Sequence, residues 1–195
     1  FLSATTIDAT SGGTFILDNN AATGASGNNV PNNPAAQINN RIRDDAAITL
    51  RDGNFTYRGL AGSTTAAETY GSLSVTGGHA VFNITPNNLG SAAVTASGDL
   101  TLDPRSTLQV TTTTIGTGNA GNLIGGNARA FFNGTVPAAS SGIIPRIIGP
   151  SDFVRYETAT GITPLAAGDY SSTLAAGTNV NLSAASSTAG SVSIN

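Results

Sequence analysis

The segment Leu73-Ser74-Val75-Thr76-Gly77-Gly78-His79-Ala80-Val81-Phe82-Asn83-Ile84 decides how the chain is read. Leu73 and Val75 alternate with Ser74, and Ala80, Phe82 and Ile84 alternate with Val81 and Asn83, so each half forms a strand with one apolar face. Between the halves, Thr76-Gly77-Gly78-His79 reads as a turn, because glycine reaches positive φ without steric penalty.

The same unit recurs on both sides. Thr14-Phe15-Ile16-Leu17, Ala47-Ile48-Thr49-Leu50, Phe55-Thr56-Tyr57, Leu100-Thr101-Leu102 and Thr107-Leu108-Gln109-Val110 are further short strand signals. Ser11-Gly12-Gly13, Asp52-Gly53-Asn54 and Ser97-Gly98-Asp99 supply the turns between them. From Ala47 to Val110 the unit returns about every 25 residues, a solenoid period. Helical spacing of apolar residues is almost missing, and Gly, Asn, Ser and Thr disfavour helix. The chain therefore reads as all-β, one domain over 1–195, and most economically as a right-handed parallel β-helix, or β-solenoid, with irregular loops. Each coil then buries its inward residues against the next. An antiparallel β-sandwich is the alternative, since the same turns serve hairpins. Asn pairs such as Asn19-Asn20, Asn39-Asn40 and Asn87-Asn88 favour the solenoid, where stacked amides bond between coils.

Composition narrows the function. Only 10% of the 195 residues are charged, against roughly 25% in an average soluble domain. A net charge of -3 gives no electrostatic reason to bind nucleic acid. No apolar run approaches the ~20 residues of a membrane-spanning helix. The chain has no Cys, which fits passage through an export route without oxidation. All eight basic residues are Arg; the Lys that sheets use to guard their edges is missing. Phe1 at the first position is expected to mark a processed chain or a piece of a longer one.

Four sets of residues could carry chemistry. Asp44 and Asp45 beside Arg43 could form a carboxylate pair or a cation site, against the simpler reading of a solvated strand entrance. Asp99, Asp103 and Arg105 have the residue types of a polysaccharide lyase or hydrolase, but are too sparse to make a cluster. His79, the only histidine, excludes a two-His metal site and is expected on a Gly turn. Tyr57, Tyr70, Tyr156 and Tyr170 could form a sugar-stacking platform or pack in the core and rim. Asn54, Asn83, Asn133 and Asn181 begin glycosylation sequons. No catalytic residue, cofactor or metal is assigned.

Several stretches resemble the autotransporter-associated β-strand repeat proteins, long exported bacterial chains. They are Asn40-Arg41-Ile42-Arg43-Asp44-Asp45-Ala46-Ala47-Ile48-Thr49-Leu50-Arg51-Asp52-Gly53, then Thr69-Tyr70-Gly71-Ser72-Leu73-Ser74-Val75-Thr76-Gly77-Gly78. Gly142-Ile143-Ile144-Pro145-Arg146-Ile147-Ile148-Gly149, Asp152-Phe153-Val154-Arg155-Tyr156 and Thr160-Gly161-Ile162-Thr163-Pro164-Leu165 follow in order. The resemblance implies a right-handed parallel β-helix, secretion or exposure at a bacterial cell surface, and no enzyme activity in the repeat. Pro145 and Pro150 depart from the pattern.

The expected function is that of a structural β-solenoid that forms or decorates an extracellular fibre, filament or matrix by head-to-tail stacking of copies. At about 4.8 Å per coil the chain makes a rod on the order of 40 Å, too short to act alone. Both termini read as strands, and Phe1, Leu2, Thr5, Ile7, Val192 and Ile194 are the candidate stacking interface. An adhesin or glycan-binding passenger is the alternative, and a polysaccharide lyase or hydrolase the third reading.

Overall fold

The computed structural model describes residues 6–18, 41–59, 65–86, 90–112, 124, 127–140, 142–172 and 179–180. These residues form strands β1 (Thr6–Thr10), β2 (Thr14–Asp18), β3 (Ala47–Arg51), β4 (Asn54–Arg58), β5 (Thr65–Tyr70), β6 (Leu73–Thr85) and β7 (Ser91–Ala96). They continue as β8 (Leu100–Leu102), β9 (Ser106–Thr111), β10 (Ala128–Phe132), β11 (Ile147–Ile148), β12 (Val154–Glu157) and β13 (Gly161–Pro164). A short 3-10 turn, Ala167–Asp169, follows.

Every pairing between these strands is parallel except that of β12 with β13. That pattern sets aside the antiparallel sandwich. It also follows from the sequence: a turn of two or three residues links one sheet to the next rather than folding a strand back on its neighbour.

The strands fall into three stacks. β1, β3, the first half of β6 and β8 make one, and β2, β4, the second half of β6, β9 and β11 the next. β5, β7 and β10 make the third. From β3 to β10 the chain visits them in rotation, and hydrogen-bonded outward side chains on neighbouring strands mark the interval there. Ser91 bonds Thr65 across 26 residues, Thr101 bonds Ser74 across 27, and His79 bonds Thr107 across 28.

β6 corrects one expectation. Thr76-Gly77-Gly78-His79 is not a turn between two strands but a bend inside a single strand of 13 residues that serves two stacks. The register slips by one residue, so that Leu50 faces Val75 while Arg51 faces Gly77, and Gly78 takes a φ of 66°. The peptide of Gly77 keeps pairing through the bend, its carbonyl accepting from the Asp52 amide at 3.0 Å. A bulge, which re-aims a strand without ending its ladder, replaces the turn.

Alternation builds the core. Ile7 and Ala9, Ile48 and Leu50, and Leu73 and Val75 line up in register on the inner face of the first stack. In the second stack Phe15, Phe55 and Phe82 lie in register with Val110. Their rings stack, Phe15 on Phe55 at 5.7 Å and Phe55 on Phe82 at 5.0 Å between centroids. Tyr70 of the third stack tilts against both Phe55 and Phe82. Buried residues of all three stacks join one hydrophobic cluster, so the described residues share a single core.

Candidate functional site

An assembly surface made by stacking must lie at the ends of these sheets, where strand edges run out of partners. At the N-terminal end β1 and β2 are the outermost strands, each paired on one side only among the described residues. Of the candidate stacking set only Ile7 is described. It is buried and sits in register over Ile48, so it supports the end from within and does not present a contact to a partner. Phe1, Leu2, Thr5, Val192 and Ile194 lie outside the described residues.

The opposite ends of the stacks are covered, each by a different device. On β8, the Leu100 amide donates to the Thr135 carbonyl at 2.9 Å, and the Arg146 guanidinium donates to the carbonyls of Leu102 and Asp103. Across β11, Ile148 forms an antiparallel bridge with Phe153. Over β10, the Tyr156 hydroxyl accepts from the Phe132 amide at 3.0 Å and donates to the Phe132 carbonyl at 2.9 Å. One phenol thus satisfies both polar groups of an edge residue that a further strand would otherwise bind.

Tyr156 lies in the hairpin of β12 and β13, where it faces Ile162, and Phe153 directly precedes β12. Gly161 begins β13 at φ 75°, packed against the Ala130 carbonyl of β10, where any side chain would collide. Arg155 fastens the hairpin, pairing with Glu157 at 2.6 Å and with Asp169 of the 3-10 turn. The Thr160 hydroxyl and Arg155 hold the Glu157 carboxyl below its usual range, and the Ala166 amide and Arg155 do the same for Asp169. Both carboxyls thus favour the charged form in which they pair with Arg155.

The residue sets singled out for chemistry do not converge. Asp45 is paired with Arg43 at 2.5 Å in solvent, and that hydrogen bond lowers its carboxyl. Asp99 accepts from the Thr135 amide at 2.6 Å, Asp103 offers its main-chain carbonyl to Arg146, and both side chains are exposed, as is Arg105. His79 stands exposed within β6, its Nδ1 3.0 Å from the Thr107 hydroxyl. Among the described residues no three His, Cys, Asp or Glu side chains gather as a metal site would require. Nor is any described helix long and apolar enough to cross a membrane.

The four tyrosines make no common platform. Tyr57 and Tyr70 are fully buried, Tyr156 is spent on Phe132, and Tyr170 donates its hydroxyl to Asp152. Of the sequon residues, Asn54 donates to Thr14 and Asn83 to Thr85, Asn133 is exposed, and Asn181 lies outside the described residues.

Sequence reasoning missed Glu68. It occupies an inward position of β5, 1% exposed, with Oε1 accepting from the Ile42 amide at 2.7 Å and Oε2 unpartnered. Burial raises its carboxyl above the usual range, opposed by the Ile42 and Arg41 amides and by the Arg41 charge. The signal was present in Thr65-Ala66-Ala67-Glu68-Thr69-Tyr70, where Glu68 shares the inward phase of Ala66 and Tyr70.

Comparison with protein-family models, with curated proteins and with solved structures finds no match to this chain.

Proposed function

We propose that the chain is a right-handed parallel β-solenoid that acts as a structural segment of an extracellular fibre or matrix on a bacterial cell, in keeping with its resemblance to autotransporter-associated repeat chains. The single observation that supports this most is the passage of the chain through three parallel stacks around one core, at intervals such as 26 residues between Thr65 and Ser91 and 40 between Thr14 and Asn54. Such an architecture provides length and surface, and its stability grows by nearest-neighbour contacts between coils.

The ends refine how such a segment would join others. Head-to-tail stacking of identical copies needs two complementary open ends, and the described edges of β8, β10 and β11 carry their own covers. Further coils are therefore expected on the β1 and β2 side, with the β12–β13 hairpin closing the stack behind them. Immunogold labelling of intact cells that make this chain tests the role. Label along an external fibre or coat is expected, and label that appears only after permeabilisation refutes it.

A further inference from the structure

Phe153 is half exposed, at 50%, and with Ile148 and Ile16 it is one of the three large hydrophobic side chains left open among the described residues. Its backbone is held on three sides. Its amide donates to Asp152 Oδ1 at 2.8 Å, and its carbonyl accepts from the Leu165 amide at 2.9 Å. The antiparallel bridge to Ile148 fixes it from a third side. A tight turn closed by the Gly149 amide on the Asp152 carbonyl, 2.7 Å, raises Pro150 and Ser151 beside it. The result is a pocket of about 310 Å³ lined by Gln109, Ile148, Gly149, Pro150, Ser151, Asp152 and Phe153.

The lining is divided. Phe153, Ile148 and Pro150 are its apolar lining residues, while Gln109, Ser151 and Asp152 carry an amide, a hydroxyl and a carboxylate. Asp152 is aimed by two donors on one oxygen, the Phe153 amide and the Tyr170 hydroxyl. The Tyr170 phenol is pushed up to about 12, by burial first and then by its bond to Asp152, so it remains a donor through neutral pH. A volume at the low end of the ~300–1,000 Å³ range of ligand pockets suits one small ring. The two neighbouring apolar side chains are far less than the roughly 1,000 Å² that a stable protein interface buries. The carboxylate disfavours anionic ligands. A ligand with one apolar face and a rim of hydroxyls answers all three constraints, and that is a neutral pyranose.

We propose that the Phe153 pocket binds a neutral hexopyranose residue of a glycan, stacked on the phenyl ring with its hydroxyls on Asp152 and Gln109. This site draws on the tyrosines only through the Tyr170 hydroxyl that aims Asp152, and it does not rest on the scaffold role.

Since the chain has no tryptophan, Phe153→Trp introduces a single tryptophan reporter at the platform. Titration with the methyl glycosides of glucose, galactose and mannose is expected to give a saturable change with at least one sugar, with a dissociation constant on the order of 1 mM. Glucuronate should bind at least tenfold more weakly. In the unsubstituted chain, saturation-transfer NMR with the same sugar should show binding that Phe153→Ala abolishes and Phe153→Tyr retains, at unchanged melting temperature. Equal binding by the alanine variant, or no saturable response to any of the three sugars, overturns the proposal. So does a blue-shifted tryptophan emission before sugar is added. If that emission grows with protein concentration, a second copy covers the platform; if it is independent of dilution, the chain's own segments do.

Discussion

Replacing Tyr156 by Phe tests whether the hairpin of β12 and β13 caps the third stack. The change removes one oxygen and leaves the ring, so packing against Phe132, 6.4 Å between centroids, is kept. Two hydrogen bonds disappear, one from the Phe132 amide and one to its carbonyl. Each such bond contributes a net ~0.5–1.5 kcal/mol. The site is only partly buried, so water recovers part of the loss, and a net destabilisation of about 1–2 kcal/mol is expected. For a chain of this size that corresponds to a fall in melting temperature of about 2–8 °C. Urea denaturation gives the first number. Amide hydrogen exchange followed residue by residue gives the sharper one, because Phe132 should lose protection by more than tenfold while Val94, deep in β7, loses only what the global stability dictates. If Phe132 exchanges as slowly in the variant as in the parent, and stability moves by less than about 0.3 kcal/mol, the phenol is not the cap argued above.

Three further outcomes follow from the same geometry. Phe55→Ala, at a fully buried ring between Phe15 and Phe82, should lose about 3–5 kcal/mol in urea denaturation, with a double-mutant cycle to Phe82→Ala showing coupling of about 0.5–1.5 kcal/mol. Gly161→Ala should cost clearly more than Gly12→Ala: both glycines have positive φ, worth about 1 kcal/mol, but only at Gly161 would the new carbon meet a backbone carbonyl. Glu68 has its folded-state pKa raised, so the native state binds its proton more tightly than the unfolded chain. Its ionisation therefore removes stability as the pH rises through that raised value, and none is lost below the unfolded value. Glu68→Gln should raise stability at pH 8 by about 1–3 kcal/mol and change it far less at pH 3.5, read by thermal melts across the range.

The first two stacks were legible because their strands carry large side chains in strict alternation, as in Phe55-Thr56-Tyr57 and Ala80-Val81-Phe82-Asn83-Ile84. The third was not. β5, β7 and β10 place Ala66, Ala92, Ala96, Ala128 and Ala130 inward, and alanine gives almost no contrast with the threonines and serines between. The small residues answer to crowding: a carbon added at Gly59 would lie 3.3 Å from the Ala92 methyl and 3.5 Å from that of Ala66. The bend in β6 was hidden for a different reason, since Gly-Gly serves a turn and a bulge equally well. The covers at the far end depend on contacts between residues 24 and 44 positions apart, Phe132 with Tyr156 and Leu102 with Arg146, which no local pattern records. Pro145 and Pro150, read as departures from a repeat, sit in the turn that carries Arg146 and in the bend before Phe153.

The spacing of the coils also bears on what the chain tolerates. Thr14 and Asn54 are hydrogen-bonded neighbours although 40 residues apart, whereas His79 and Thr107 are neighbours at 28. Register is held by the strands themselves, so the interval between paired strands can differ by a dozen residues without displacing the ladder. Closing a longer loop adds only a few tenths of a kcal/mol, growing with the logarithm of its length. A connection between stacks, rather than a strand, is therefore the place where residues can be added without disturbing the ladder. It is equally the place for a protein engineer to insert a foreign epitope.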